Sequence, residues 1–121
     1  MSRRADRQAI MTAAWQIREE ALRVAGDFPG IWHAERTDQE SPQPVWSANG
    51  RLAAEGYGGY GTAIRTARYI AHWHPAMGIR IADLLNDAAR PRAGRKVRRR
   101  ALAIIWMWEG DDRNYERHSH K

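Results

Sequence analysis

Apolar side chains recur at helical spacing in four stretches of the chain. In residues 4–25 they lie three or four positions apart and form one stripe, made of Ile10, Ala14, Ile17, Ala21 and Val24 and widened by Met11, Trp15 and Leu22. The same period predicts helices over residues 62–73, 75–89 and 95–108. We expect Gly26 and Gly110 to end the first and last of these helices, because glycine is favoured just past a helix C-terminus.

The third and fourth helices are each expected to bury one face. In the helix that starts at Pro75, the predicted inward residues are Met77, Ile81, Leu84, Leu85 and Ala88. In the last helix they are Val97, Ala101, Ile104, Ile105 and Trp108. Thr62 is the expected N-cap of the second helix, since a threonine hydroxyl can accept a hydrogen bond from a free amide of the first turn.

Between residues 31 and 55 the pattern becomes that of strands. Two short extended runs flank Asn49-Gly50, a pair typical of two-residue hairpin turns because both turn positions need a positive φ. This predicts a hairpin over residues 45–54 in which Trp46 faces Ala53, with a third strand over residues 31–36. A sheet this small needs helices against its apolar face. We therefore predict an α+β fold in a single domain, residues 1–121, with a small antiparallel sheet packed on helices and flexible ends at 1–3 and 111–121.

The stretch Gly56–Thr62, GYGGYGT, matches the G-x-G-x-x-G motif of a dinucleotide-binding loop. Its context does not fit, because such a loop needs a parallel β-α-β unit and the preceding strand here belongs to an antiparallel hairpin. A weaker alternative is a small anion-binding or nucleotide-binding domain, since amides at a helix start attract phosphate or carboxylate. The candidate residues are Gly58, Gly59, Gly61, Thr62, Arg65 and Arg68. A tight connection between the hairpin and the second helix would also explain why this segment is rich in glycine.

Composition excludes several kinds of site. The 121 residues contain no cysteine, so disulfides, thiolate metal sites and cysteine nucleophiles are absent. No nucleophile–base pair, carboxylate dyad or converging set of metal ligands can be placed, so we expect a non-enzymatic protein without metal or cofactor. The chain shows neither a signal-peptide pattern nor a long apolar run, which favours the cytoplasm of a bacterial host and no membrane partner.

Positive charge is concentrated in the second half of the chain. Residues 1–60 carry seven basic and eight acidic side chains, whereas residues 61–121 carry thirteen and six, and the net charge is +6. Seven basic residues lie within positions 90–100, where they would create a strong local field. Such a cluster favours binding to the nucleic-acid backbone without sequence preference. A solvated face paired with Glu and Asp, or a dock for an acidic protein, explains it as well. The predicted contacts are Arg92, Arg95, Lys96, Arg98, Arg99 and Arg100, helped by Arg65 and Arg68.

Six tryptophans are many for a chain of this length. We assign Trp15, Trp32, Trp46 and Trp73 to the seam between helices and hairpin. Trp106 and Trp108 lie about 200° apart on one helix and cannot both face the core. Trp108 is taken as buried and Trp106 as exposed, and the pair marks a candidate interface. The alternative function is thus an adaptor or inhibitor that docks on an acidic host protein, and a homodimer through the last helix is a further expectation.

Four stretches of the chain form a recognisable series: FPGIWHAER, WSANGRLAAEG, ARYIAHWHPAMGIRIADLLNDA and ALAIIWMWEGDDRNYERH. In this order they resemble a family of short uncharacterised proteins from actinobacteria and their phages. The sequence departs from that pattern at Tyr69, His72, Trp73 and His74, where the family has His, Arg, His and Asp. The resemblance implies an accessory protein of a phage or mobile element, with a structural role for this motif. In that role His74 would cap the helix that begins at Pro75, less effectively than Asp.

Overall fold

The computed structural model describes residues 3–59 and 61–110. The elements in chain order are α1 (Arg3–Asp27), β1 (His33–Ala34), β2 (Gln43–Trp46), β3 (Leu52–Gly56), α2 (Thr62–His72), α3 (Pro75–Ala88) and α4 (Arg95–Glu109). This arrangement of helices with a three-stranded antiparallel sheet confirms the predicted α+β fold. The flexibility predicted for the chain ends concerns residues 1–2 and 111–121, which lie outside the described residues, and Arg3, which begins α1.

Two compact units share the chain. The helical unit comprises residues 1–17 and 81–121, and the sheet unit comprises residues 18–80. Helices α1 and α3 contribute residues to both units, whereas α4 belongs to the helical unit, and α2 and the strands belong to the sheet unit. The prediction of a single domain over residues 1–121 stays a prediction.

The core of the helical unit is built from small side chains on three helices. Its buried members are Ile10, Ala13, Ala14 and Ile17 of α1, Ala82, Leu85, Ala88 and the following Ala89 from the α3 end, and Ala101, Leu102 and Ile105 of α4. Alanine makes up six of these eleven residues, which allows helix axes to approach closely. Arg7 Nε also donates a hydrogen bond of 2.7 Å to the Ala89 carbonyl oxygen, which supplies a partner for a carbonyl at the end of α3.

The faces that α1, α3 and α4 bury differ in part from the predicted ones. Leu84 is 65% exposed while its neighbour Leu85 is 2% exposed, and α4 turns Arg98, Ala101, Leu102 and Ile105 inward. The pattern failed because apolar residues occupy so much of each helix circumference that a period of 3.6 selects more than one stripe. The side chains predicted to face inward but exposed here are Met11, Trp15, Leu22, Val24, Met77, Leu84, Val97, Ile104 and Trp108.

In the sheet unit, α2 packs across all three strands. The buried residues Val45, Ala67 and Ala71 join the two layers, with Trp32, Ala34, Ala54 and Ile70 partly buried against them. Gly56 is the closest point of approach. A Cβ placed there would lie 2.4 Å from the Ala63 carbonyl oxygen and 2.5 Å from the Ala67 nitrogen, so only glycine permits this spacing.

The hairpin turn is wider than predicted. Trp46 pairs with Leu52, not Ala53, and a bulge lies between Val45 and Trp46. The Ser47 amide donates to the Arg51 carbonyl at 2.9 Å, and the Gly50 amide donates to the Ser47 carbonyl at 3.0 Å. Gly50 has a φ of 80°, but Asn49 does not have a positive φ. The two-residue turn was therefore wrong, and the geometry is the longer one in which only the glycine is left-handed.

The tip of this hairpin binds the end of α1. Asn49 Nδ2 and Arg51 Nη1 donate hydrogen bonds of 3.3 and 3.4 Å to the Asp27 carbonyl, and the Arg51 guanidinium lies 5.5 Å from the centre of the Phe28 ring. Helix α1 continues through Gly26, the residue expected to stop it, and ends at Asp27. Gly110 does end α4, with a left-handed φ of 75°, as predicted.

The start of α2 differs from the prediction, whereas the start of α3 agrees with it. Helix α2 begins at Thr62, and the cap position belongs to the left-handed Gly61, which makes no side-chain cap hydrogen bond. Thr62 is therefore inside the helix and is not its cap. In α3 the Met77 amide donates to His74 Nδ1 at 3.2 Å, which is the capping contact expected from the resemblance.

Candidate functional site

The basic segment begins in the turn before α4. The Ala93 amide donates to the Arg90 carbonyl at 3.0 Å, with Pro91 at the second turn position, where its fixed φ is suited to the turn. Gly94 is extended and α4 starts at Arg95 without a side-chain cap. Five of the six predicted contact residues are exposed along this stretch: Arg92, Arg95, Lys96, Arg99 and Arg100.

Arg98 is the exception, because it is only 6% exposed. Its Nη1 donates a hydrogen bond of 2.9 Å to the Ala93 carbonyl, which fixes the guanidinium against the preceding turn. Within the described residues it has no carboxylate partner, so its charge lies in a poorly hydrated place without an ion pair. Burying a charge costs free energy unless an opposite charge compensates it.

Arg98 lines a groove of about 640 Å³ on the helical unit, together with Arg3, Asp6, Arg95, Arg99, Leu102 and Trp106. Four of these seven residues are arginines and one is acidic. Arg95 and Arg99 follow one another by one helical turn, which places them on the same side of α4. None of the four arginines forms an ion pair within the described part of the chain. The groove therefore presents concentrated positive charge that its own residues do not neutralise.

The six predicted residues thus fall into two groups. Arg95, Arg98 and Arg99 line the groove, whereas Arg92, Lys96 and Arg100 do not. Arg3 and Asp6 were missed, because only the packing of α1 in the helical unit brings them to α4. The nearby Arg90 is paired with Asp87 at 3.1 Å, but both side chains are exposed, so this contact contributes little.

The two tryptophans of α4 have the opposite placement to the predicted one. Trp106 is partly buried, packs against the core of the helical unit and lines the groove, while Trp108 is 39% exposed. The prediction failed because it placed Val97, Ile104 and Trp108 on the inward face. Once Leu102 and Ile105 face inward, Trp108 lies on the outer side of the helix.

Backbone amides at the end of the glycine loop, residues 56–62, donate hydrogen bonds to a carbonyl of the loop itself. The Thr62 and Ala63 amides donate to the Gly59 carbonyl at 2.8 and 3.4 Å, and Arg65 Nη2 donates to the Thr62 hydroxyl at 3.2 Å. Two donors that an anion would need are thus engaged within the turn. Arg68 is exposed on α2, and the residue Tyr60 within the loop lies outside the described residues. The geometry favours a structural joint here, and the predicted anion site stays a prediction.

A second concave surface lies on the sheet unit. It has a volume of about 500 Å³ and combines Trp46, Leu52 and two prolines with the carboxylates of Asp38 and Glu55. The Tyr57 hydroxyl donates a hydrogen bond of 2.7 Å to Glu55, and this bond, with the carboxylate charge, raises the pKa of Tyr57 above its ordinary value. This pocket has no basic side chain in its lining and is chemically opposite to the groove.

Residues 3–59 and 61–110 contain no group of three His, Cys, Asp or Glu side chains arranged to hold a metal ion. Across the same residues, no helix has the length and apolar character to cross a membrane.

Comparison with family models, curated proteins and solved structures finds no match to this chain. The resemblance to short actinobacterial and phage proteins therefore stays a prediction.

Proposed function

We propose that this protein binds the phosphate backbone of nucleic acids, without reading base sequence, through the arginine groove of the helical unit. The observation that carries the proposal is the buried Arg98 guanidinium, held by the Ala93 carbonyl in the wall of a groove lined by three further arginines. A phosphate in the groove would supply the missing negative charge. Because the site is partly shielded from water, that interaction would be stronger than on an open surface.

The residues outside the groove support binding in a different way. Arg92, Lys96 and Arg100 are exposed close by in the chain and extend the positive field. Such residues attract a polyanion over a distance and release its counterions on binding. Trp106 adds an aromatic side chain to the groove lining, and aromatic rings beside basic residues are characteristic of single-strand binding.

Fluorescence anisotropy with a labelled single-stranded oligonucleotide of about 16 nucleotides tests the proposal. If the four groove arginines each contact a phosphate, the logarithm of affinity should fall against the logarithm of salt concentration with a slope of about −3 between about 50 and 200 mM salt. Phosphate contacts by Arg92, Lys96 and Arg100 would make the slope steeper. The double variant Arg95→Gln/Arg99→Gln should reduce the steepness of this slope by about 1 to 2.

The matched control is Arg23→Gln/Arg36→Gln, which removes the same charge from two exposed arginines of the sheet unit. It should change the slope much less. Equal effects of both double variants would contradict a groove and indicate a diffuse field, while binding that does not change with salt would exclude backbone recognition. The variant Arg95→Lys/Arg99→Lys separates charge from geometry, because lysine keeps the charge but loses the planar fork that grips phosphate.

A further inference from the structure

The outer face of α4 carries an apolar row that the arginine groove does not use. Val97, Ile104 and Trp108 are 50%, 46% and 39% exposed, and their spacing of seven and four residues places them on one side of the helix. The row spans about 16 Å along the axis, or three helical turns. Exposed apolar rows of this kind mark interaction surfaces.

A basic row runs beside the apolar one. Arg100 lies three residues after Val97 and four before Ile104, so it borders both, and Lys96 precedes Arg100 by one turn. Both side chains are exposed, and neither has an ion pair within residues 3–59 and 61–110. The outer face of α4 therefore combines a hydrophobic row with a positive edge.

We infer that this face, defined by Lys96, Val97, Arg100, Ile104 and Trp108, docks an acidic amphipathic helix of a partner protein. An amphipathic helix binds through apolar residues spaced three, four and seven apart, which is the spacing that α4 presents. A row of Glu or Asp beside that apolar stripe would face Lys96 and Arg100. Trp108 supplies the large aromatic contact that commonly dominates such interfaces.

Charge argues against a second copy of this chain as the occupant. Two copies paired through this face would each bring Lys96 and Arg100 to the contact, and like charges across an interface are unfavourable. A nucleic acid would satisfy the basic edge but would leave the apolar row without an aliphatic or aromatic partner. An acidic amphipathic helix satisfies both rows.

The probe is a synthetic helical peptide with Leu at the inner positions and Glu along one flank. Its binding to the whole protein is measured by anisotropy against two control peptides, one of the same composition in scrambled order and one with Lys in place of Glu. The acidic helical peptide should bind saturably below about 1 mM, and the two controls should bind at least about tenfold more weakly. No saturation by the acidic helix, or equal binding of the scrambled peptide, would overturn the inference.

Substitutions on α4 locate the contact. Ile104→Ser and Trp108→Ala should each weaken peptide binding by about tenfold or more, and Trp15→Ala, which removes a tryptophan 61% exposed on α1, should change it by less than about twofold. Circular dichroism spectra confirm that each variant is folded. A loss as large for Trp15→Ala would contradict the assigned face.

Charge reversal gives a second and independent readout. Lys96→Glu/Arg100→Glu should weaken the acidic peptide by about tenfold or more and improve the binding of the Lys-containing peptide. Ile104→Ser should leave oligonucleotide binding unchanged, so that failure of this inference and failure of the proposed nucleic-acid function are separate results. Self-association of the protein that Ile104→Ser abolishes, seen by sedimentation, would overturn the inference in favour of a homodimer.

Discussion

The helical unit and the sheet unit differ most in their net charge. The sheet unit has seven basic and seven acidic residues, whereas the helical unit has thirteen and seven, so the whole net charge of +6 belongs to the helical unit. Their concave surfaces follow the same division, with four arginines around one and two carboxylates beside the other. The groove that we propose for an acidic partner therefore lies in the unit that holds the excess positive charge.

The units also differ in what stabilises them. In the sheet unit, buried polar side chains hold the loops: Gln43 accepts the Thr37 amide at 2.9 Å, and the Ser47 hydroxyl donates to the Arg51 carbonyl at 3.2 Å. The helical unit depends instead on an apolar core of eleven residues, and it buries Arg98, which has no ion pair within residues 3–59 and 61–110. If the proposed function is correct, stability and binding compete in the helical unit, because a buried arginine that favours an anionic ligand costs free energy without one.

The largest expected effect is in the core of the helical unit. Leu85→Ala should lower the free energy of unfolding by about 2–5 kcal/mol, since it removes a fully buried side chain. Its neighbour Leu84 provides the control, because it is 65% exposed and Leu84→Ala should cost less than about 0.5 kcal/mol. Urea unfolding measures both. Equal losses for the two variants would contradict the face assigned to α3.

The corresponding weak point of the sheet unit is Gly56. Gly56→Ala should cost about 1–3 kcal/mol, because the added methyl group meets backbone atoms of α2 at less than 3.0 Å and the two layers must separate. Gly59→Ala, three residues beyond β3, is the matched control, since a Cβ at Gly59 has no neighbour within 4 Å. Hydrogen exchange should show that the loss of protection is centred on β3 and α2.

Substitution of Arg98 distinguishes a contribution of its buried charge to stability from a contribution to nucleic-acid binding. Arg98→Met should change the free energy of unfolding by less than about 1 kcal/mol, because the methionine fills the same space without an unpaired charge. It should nevertheless weaken oligonucleotide binding by about tenfold, which is about 1.4 kcal/mol. Unfolding in urea and anisotropy are measured on the same variant. A severe loss of stability with unchanged binding would reverse this assignment.

The smallest effect is expected at the start of α3. His74→Ala should cost about 0.5–1 kcal/mol, because the Met77 amide loses its side-chain acceptor. His74→Asp should instead stabilise the protein by about 0.5 kcal/mol, since a carboxylate is a better cap and interacts favourably with the positive end of the helix. Thermal unfolding of the three proteins should therefore rank them Asp, His, Ala.

Local signals predicted the elements well but the buried faces poorly. The four helices and the strands follow from short-range patterns, and Gly110 ends α4 because a glycine accepts the left-handed conformation without strain. The hairpin was placed correctly although its turn was not, since Asn49-Gly50 is also compatible with a wider turn in which only Gly50 has a positive φ. The exposed row on α4 was predicted as core, because nothing local distinguishes two apolar stripes on one helix.

The sequence likewise predicted part of the candidate site, and the rest depended on tertiary structure. The cluster between positions 90 and 100 predicted a positive surface, and five of its six assigned residues are exposed. The contribution of Arg3 and Asp6, and the groove itself, depend on the placement of α1 beside α4, two helices that are far apart in the chain. The role of the glycine loop also could not be predicted from its sequence pattern. That pattern does not show that the Gly59 carbonyl accepts hydrogen bonds from the Thr62 and Ala63 amides.

The sequence by itself determined the type and order of the elements, the small antiparallel sheet and the excess of positive charge near α4, because periodicity, turn residues and net charge are local or additive properties. Only the tertiary structure decided which side of each helix is buried, that Gly56 is required for the approach of α2, and that four arginines line one groove. Those features result from packing between segments distant in sequence, where the volume and position of the partner select among faces that are equally apolar.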